Sequence, residues 1–364
     1  MNNKEVLYFI AKCLTISLEE KNRKIIEKQL KLKRIDWDTI VKLSTIHYVF
    51  PAMYCNLKRV GFLSYLPQEL VSYMEYITNL NRERNQQIII QAKELNTLLL
   101  ENNITAIFLK GTGNLLAGIY EDIAERMIGD IDLILTEEDY PKAISVLREF
   151  GYDKEIHQDL PHRHYPGIIR KDTIARVEVH KDLLKEKYVN EFNYSFVNKD
   201  SQIINGFRVL SYANKLNLSI IADQINDNGF YYKRMALRNA YDVFLLSKKT
   251  NAKVVVNALD KLTNPLNCFL AACYEVFNFV DSLQYNKTKK VVSYLNVFNS
   301  QFTNINRTRR LYNRKKRYLL LKFRLNIIFK SVTHKMYRVW LFKKLSSLNF
   351  YKRILSIKQS KIIK

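Results

Sequence analysis

The sequence predicts an α+β fold in which a small mixed β-sheet sits between an N-terminal and a C-terminal helical region. Three observations carry that expectation. Apolar residues recur at three-to-four spacing before residue 104 and again after 210, the period of a helix. Between those regions the pattern changes to short apolar runs rich in β-branched residues, as strands require. Of 364 residues only 9 are Gly and 6 are Pro, while 47% are hydrophobic, so the chain is not loop-dominated and can bury a sizeable core.

In the N-terminal region, 1–103, "DWDTIVKLSTIHYVFPAMYCNL" (36–57) carries the helical period. "LPQELVSYMEYITNLNRERNQQIIIQAKELNTLLLENN" (66–103) predicts one long helix, with Ile88, Ala92, Leu95 and Leu99 on one face. "ITAIFL" then reads as a strand ending at Lys110, and "GTGNLLAGIY" as a turn and a helix beginning at Thr112. "GDIDLILT" is a second strand. "EEDYPKAISVLREFGY" is a helix, with acidic residues in its first turn and Gly151 just past its end. "HYPGIIRK", "TIARVEVHKDLL" and "SQIINGFRVL" read as three more strands, and helical spacing returns from "YANKLNLSIIADQIND" to "ALRNAYDVFLLSKK". The expected divisions are a helical region 1–103, a sheet core 104–210, a helical region 211–281 packed on it, and an extension 282–364.

Charge sets the last boundary. The formal net charge is +24, yet 22 of the 59 Lys and Arg and none of the 35 Asp and Glu lie in 282–364. The preceding residues are nearly neutral, so a basic, aromatic-rich tail follows an ordinary body. The four cysteines, Cys13, Cys55, Cys268 and Cys273, fit neither a disulfide framework nor a CxxC metal site. Glu5 and Lys12 interrupt the N-terminal apolar segment, and no window approaches the ~18 uncharged apolar residues of a membrane span. The expected location is the cytoplasm, with peripheral attachment at the inner membrane face if the tail binds lipid.

The chemistry concentrates in "FLKGTGNLLAGIYEDIAERMIGDIDLIL", 108–135. Side chains on a strand alternate faces, so Asp130 and Asp132 point one way while Ile131 and Leu133 point into the core. Two close carboxylates repel unless a proton or cation lies between them. A hard divalent cation takes such oxygens together with phosphate oxygens. Glu178, in "ARVEVH", adds a third acid on another strand. Gly111 lets the backbone approach a ligand closely, and the following turn suits phosphate. Together these parts equip a chain for nucleotidyl transfer by metal-assisted in-line displacement.

The ordered set "LKG" (109–111), Arg126, "GDIDLIL", a helix ending in "FGY", and "VEVH" (177–180) resembles the uncharacterised nucleotidyltransferases of the DNA polymerase β superfamily. "DWDTIVKLSTIHYVFPAMY" and "ALRNAYDVFLLS" resemble that family's helical flanks, so the likeness spans roughly 30–250. It implies a minimal nucleotidyltransferase sheet, an NTP substrate and Mg²⁺ (or Mn²⁺), with Asp130 and Asp132 as metal ligands and Glu178 as third ligand or base. Lys110 matches a lysine of the subgroup. Thr112 stands where the superfamily has serine or glycine and retains a hydroxyl. With Gly111 and Arg126, these residues form the expected nucleotide-binding set. For Arg126, a phosphate contact and a structural carboxylate contact, for instance with Glu121 or Glu125, stay equally open. The resemblance suggests a role in surface polysaccharide or small-molecule modification. The alternative is a catalytically inactive scaffold that binds nucleotide or an anionic surface.

His157, His162, His164 and His180 lie close in sequence but match no zinc spacing. His180 shares a strand face with Glu178, and His164 is expected to line the same cleft, where they would orient a carboxylate or touch the acceptor. In the tail, "RTRRLYNRKKRYLLLKFRLNIIFK" and "HKMYRVWLFKKLSSLNFYKRILSIK" mix basic with aromatic and aliphatic residues. Tyr337, Leu341, Leu345 and Leu348 fall at helical spacing, suiting an anionic membrane surface. A packed extension with a basic outer face is the equal alternative, and RNA ranks below both.

Overall fold

The structure, a computed structural model, describes residues 1–154 and 163–346. Among these, 1–154 and 163–303 form one compact unit and 304–346 another.

The first unit opens with helices whose limits are set by local chemistry. Helix Trp37–Ile46 starts at Asp36, whose carboxylate accepts the Thr39 backbone N–H at 3.1 Å. Helix Phe50–Arg59 carries Pro51 in its first turn, where its missing N–H costs nothing. Helix Gln68–Glu101 runs unbroken for 34 residues and buries Ile88, Ala92, Leu95 and Leu99, the predicted face.

Seven strands make one mixed sheet: β1 Ile107–Phe108, β2 Asp130–Ile134, β3 Asp153–Lys154, β4 Ile168–Ile169, β5 Arg176–His180, β6 Gln202–Ile204 and β7 Phe207–Val209. Their order is β3-β4-β5-β2-β1-β7-β6. β2 pairs antiparallel with β1 and parallel with β5, so the fold is α+β with a mixed sheet. Three local readings change. "SQIINGFRVL" is a hairpin of β6 and β7, because Asn205 and Gly206 both take positive φ (52° and 82°) and so close a two-residue turn. β1 ends at Phe108, because a strand cannot continue through Lys110 at φ 48°, and the next helix is Lys110–Leu116, starting two residues before Thr112. β3, two residues long, is too short to leave a periodic signal.

The sheet's inner face fixes its outer one. Ile131 and Leu133 on β2 and Val177 and Val179 on β5 are fully buried. Each contributes about 1.5–3 kcal/mol relative to exposure. A one-residue slip would exchange these four for Asp130, Asp132 and Glu178, so the register is strongly held. The long helix secures the approach to β2. Asn85 donates to Ile123 O and Arg126 O at 2.6 and 2.7 Å, and Asn81 donates to Ala124 O at 2.7 Å. These buried bonds, each worth about 1 kcal/mol, set where β2 begins.

Beyond the sheet lie helices Tyr212–Ile221, Leu237–Ser247, Thr263–Val276 and Lys289–Ser300. The last begins past the composition boundary at 282, yet it buries Val291, Tyr294 and Phe298 within the first unit. Its Asn299 donates to Glu275 at 2.9 Å. The four cysteines are free and buried. The second unit comprises helices Ile305–Thr333 and Lys335–Leu345, and Arg338 ties their corner by donating to Val332 O at 2.7 Å. Among the described residues no helix is long and apolar enough to cross a membrane.

Candidate functional site

Pairing of β2 with β5 sets the site. Asp130 faces Arg176, Asp132 faces Glu178, and Ile134 faces His180 across the two strands. Residues two apart share a face, so Asp130, Asp132, Arg176, Glu178 and His180 stand together opposite the buried apolar face. Asp132 is nearly buried, whereas the Asp130 side chain is about a third exposed, at 35%. The Leu109 backbone N–H donates to Asp132 O at 2.9 Å, which brings Lys110 over the same face.

The cluster is tightly linked. The Lys110 ammonium bonds directly to the Asp132 carboxylate and lies 4.0 Å from Glu178. His180 Nε2 is 2.8 Å from Asp132 Oδ1 and 3.8 Å from Glu178. Arg176 bridges Asp130 at 3.1 Å and Glu178 at 3.3 Å. Donor atoms of Asp132, Glu178 and His180 all lie within 4.8 Å of one another. Asp130 is not in that convergent set, because its carboxylate turns to Arg176.

The protonation pattern follows from burial and neighbours. Burial, then the adjacent Asp132 charge, pushes the Glu178 carboxyl up to about 7. Burial opposes ionisation of Asp132 as well, but Lys110 and His180 outweigh it and hold this carboxyl well below the usual range. Burial raises Asp130 despite Arg176. It also pushes His180 down to about 4 and lowers His164, so both imidazoles are neutral near pH 7.

The turn before β2 carries the other expected residues. The Thr112 hydroxyl donates to Asp130 O at 3.0 Å, tying the short helix Lys110–Leu116 to β2. A Cβ on Gly113 would lie 2.5 Å from Phe108 O, whereas one on Gly111 would meet the Ile128 side chain at 3.0 Å. The backbone approach therefore binds Gly113 more strictly than Gly111. Arg126 is buried in a forked pair with Asp242, with Nε 3.0 Å from Oδ1 and Nη2 3.0 Å from Oδ2, and it donates to Met127 O at 2.9 Å. Of its two readings the structure contains the carboxylate contact, but the partner is Asp242; Glu121 and Glu125 pair with Arg59. Arg126 still adjoins the turn, since a Cβ on Gly111 would lie 3.6 Å from its Cζ.

His164 joins the site through a backbone bridge to His180, with Nε2 3.8 Å from Glu178. His157 and His162 lie outside the described residues. Two participants escaped the reading of the sequence. Arg176 lies two residues before Glu178 on the same strand, so the period-two rule already placed it on the carboxylate face. Asp242 offers a weaker signal, an acid inside the apolar helix "ALRNAYDVFLL". Tyr120 also donates to it at 2.6 Å.

No curated protein matches the chain. Among solved structures, JHP933 from Helicobacter pylori matches at 13% identity over 64% of this chain and 97% of that one, with a TM-score of 0.30. That likeness is too weak to transfer a fold or a site. The family described as "Uncharacterised nucleotidyltransferase" matches residues 33–278, which takes in the whole sheet, the carboxylate face and the helices on either side. By that match the chain belongs to the uncharacterised nucleotidyltransferase family, and its activity is of the nucleotidyltransferase type.

Proposed function

We propose that the protein moves a nucleoside monophosphate from an NTP to an acceptor, with Mg²⁺ or Mn²⁺ held on the β2–β5 face. The observation that carries this reading is the side-by-side placement of Asp132 and Glu178, with Asp130 one step along the same face. The donor set fits a divalent cation: two carboxylates and an imidazole converge, and a positive charge, the Lys110 ammonium, is already drawn onto them. Asp132, Glu178 and His180 would hold the ion, with Asp130 available once Arg176 releases it. His180 suits ligation through Nε2, because its Nδ1 lies 3.4 Å from Asp182 O, an acceptor for the proton of that tautomer. A nitrogen ligand favours Mn²⁺ over Mg²⁺. When bound, the cation would neutralise charge developing on the phosphates.

The chain's own groups do the rest. The acceptor oxygen attacks the α-phosphorus, the bond to the bridging α–β oxygen breaks, and pyrophosphate leaves. Glu178 takes the acceptor proton, and His164 beside it orients the acceptor. Lys110 and Arg176 turn from carboxylates to phosphate oxygens. Thr112, Gly111 and Arg126 shape the turn that seats the phosphates, Arg126 through its pair with Asp242. The acceptor class, surface polysaccharide or small molecule, rests on family resemblance alone. A second reading, a non-catalytic nucleotide-binding scaffold, draws on Lys110, whose ammonium satisfies Asp132 without any metal. Pyrophosphate release from each NTP with Mn²⁺ or Mg²⁺, across a panel of hydroxyl acceptors, separates the two. Binding with no release from any pair would leave the scaffold.

A further inference from the structure

Helix Ile305–Thr333 changes character along its length. Its first half is dominated by basic and polar residues, and from Tyr318 onward it is largely apolar. In that second half Tyr318, Leu321, Leu325, Ile328 and Val332 recur at alternating steps of three and four. They form one continuous stripe, each residue 46–71% exposed. Ile327, on the opposite side, is buried, so the stripe is not the surface used for packing within its unit. Lys322 and Arg324 follow at the stripe's two edges, both exposed. A basic residue on each flank of an apolar stripe is the arrangement in which ammonium and guanidinium groups reach lipid headgroups while the stripe enters the acyl boundary.

Charge decides among occupants. A second copy of the helix would set Lys322 and Arg324 against like charges, and no Asp or Glu exists anywhere after Asp281 to relieve them. Nucleic acid would supply anions, but four of the five stripe residues are aliphatic and offer bases nothing to stack on. An anionic bilayer supplies both halves of the match: phosphate and carboxylate headgroups for the basic half, and hydrocarbon for the stripe. We infer that helix Ile305–Thr333 docks on anionic lipid surfaces, with residues 318–332 inserted at the interface.

This moves the expected contact. Tyr337 and Leu341, on helix Lys335–Leu345, are half-buried, Leu345 is exposed, and Leu348 lies outside the described residues.

The test uses full-length protein and sucrose-loaded vesicles of phosphatidylglycerol and phosphatidylcholine, sedimented at 0.1 and 0.5 M salt. Wild type should bind anionic vesicles at both salts, more weakly at the higher, and should not bind phosphatidylcholine alone. The triple variant Leu321→Ser, Leu325→Ser, Ile328→Ser keeps every charge. It should lose about 100-fold in partitioning at 0.5 M salt, because three half-exposed side chains no longer insert. The variant Arg309→Gln, Arg310→Gln, Arg314→Gln, Arg317→Gln should instead lose binding mainly at 0.1 M salt. Equal binding of wild type and triple variant at 0.5 M salt would overturn the inference. So would a wild-type dimer that the triple variant breaks, or single-stranded RNA displacing the protein from vesicles at equal phosphate concentration.

Discussion

Lys110→Met tests whether an ammonium stands where a metal ion belongs. Lys110 is the cation bonded directly to Asp132, with side-chain exposures of 22% and 9%. Breaking a buried pair by removing one partner costs about 3–5 kcal/mol, since the other charge is left uncompensated. His180 remains 2.8 Å from Asp132 and returns part of that, leaving about 2–3 kcal/mol. For a unit of this size each kcal/mol lowers Tm by about 2–4 °C, so the variant should melt about 4–12 °C below wild type. A divalent cation should then repair the loss. At a hundred times its Kd a bound ion adds about 2.7 kcal/mol to the variant, whereas in wild type it must first displace the ammonium. Differential scanning fluorimetry with Mn²⁺ and Mg²⁺ measures both effects. The expected result is a lower Tm for Lys110→Met and a cation-induced rise several degrees larger than in wild type. If the variant melts with wild type, or gains no more from Mn²⁺, the reasoning fails.

Three further outcomes are expected. Asp130→Asn with Asp132→Asn should fold but melt below wild type, because Lys110 and Arg176 lose their carboxylate partners, and should show no Mn²⁺-induced shift and no pyrophosphate release; a retained shift would place the ion elsewhere. Glu178→Gln should lose about 10²–10⁴-fold in turnover while nucleotide binding by equilibrium dialysis persists, as a base acting in the transition state requires. Burial pushes Lys215, whose ammonium donates to Leu210 O, down from 10.5 to about 7. The unfolded chain therefore binds more protons between those values, and the contribution of Lys215 to stability rises with pH from about 7 to 10.5. Urea midpoints at pH 6.5 and 9.5 should show that slope in wild type and a flatter one in Lys215→Met.

Much of the carboxylate face was legible because a strand's period is two. "GDIDLIL" and "RVEVH" each reveal which residues share a side, and that places Asp130 with Asp132 and Glu178 with His180. Period alone does not say which residues stand opposite across strands. The pairing of Asp132 with Glu178 depends on a parallel register held by Ile131, Leu133, Val177 and Val179 together. The partner of Arg126 was hidden for a related reason, since Asp242 lies 116 positions downstream and meets it only when the second helical region packs on the sheet. The β6–β7 hairpin is legible in the sequence, because Asn-Gly between two apolar runs is a strong local turn signal. In the tail, composition told how basic the surface is, but not which helical face the neighbouring helix covers. That depends on contacts between helices Ile305–Thr333 and Lys335–Leu345.

The resting charge balance of the site suggests how one arrangement serves two states. Asp130, Asp132 and Glu178 face Lys110 and Arg176, and His180 is neutral, so two fixed cations almost offset three acids without a ligand. That near-balance lets three carboxyl groups share one small face. In the proposed reaction, an NTP arriving with a divalent ion would change the partners of these two cations. A cation held by Asp132 and Glu178 would set a like charge beside the Lys110 ammonium, which would then find its anion in the phosphates of the NTP. Arg176 would make the corresponding exchange from Asp130. In the proposed reaction the two cations that pair with these carboxylates, Lys110 and Arg176, would then become phosphate ligands.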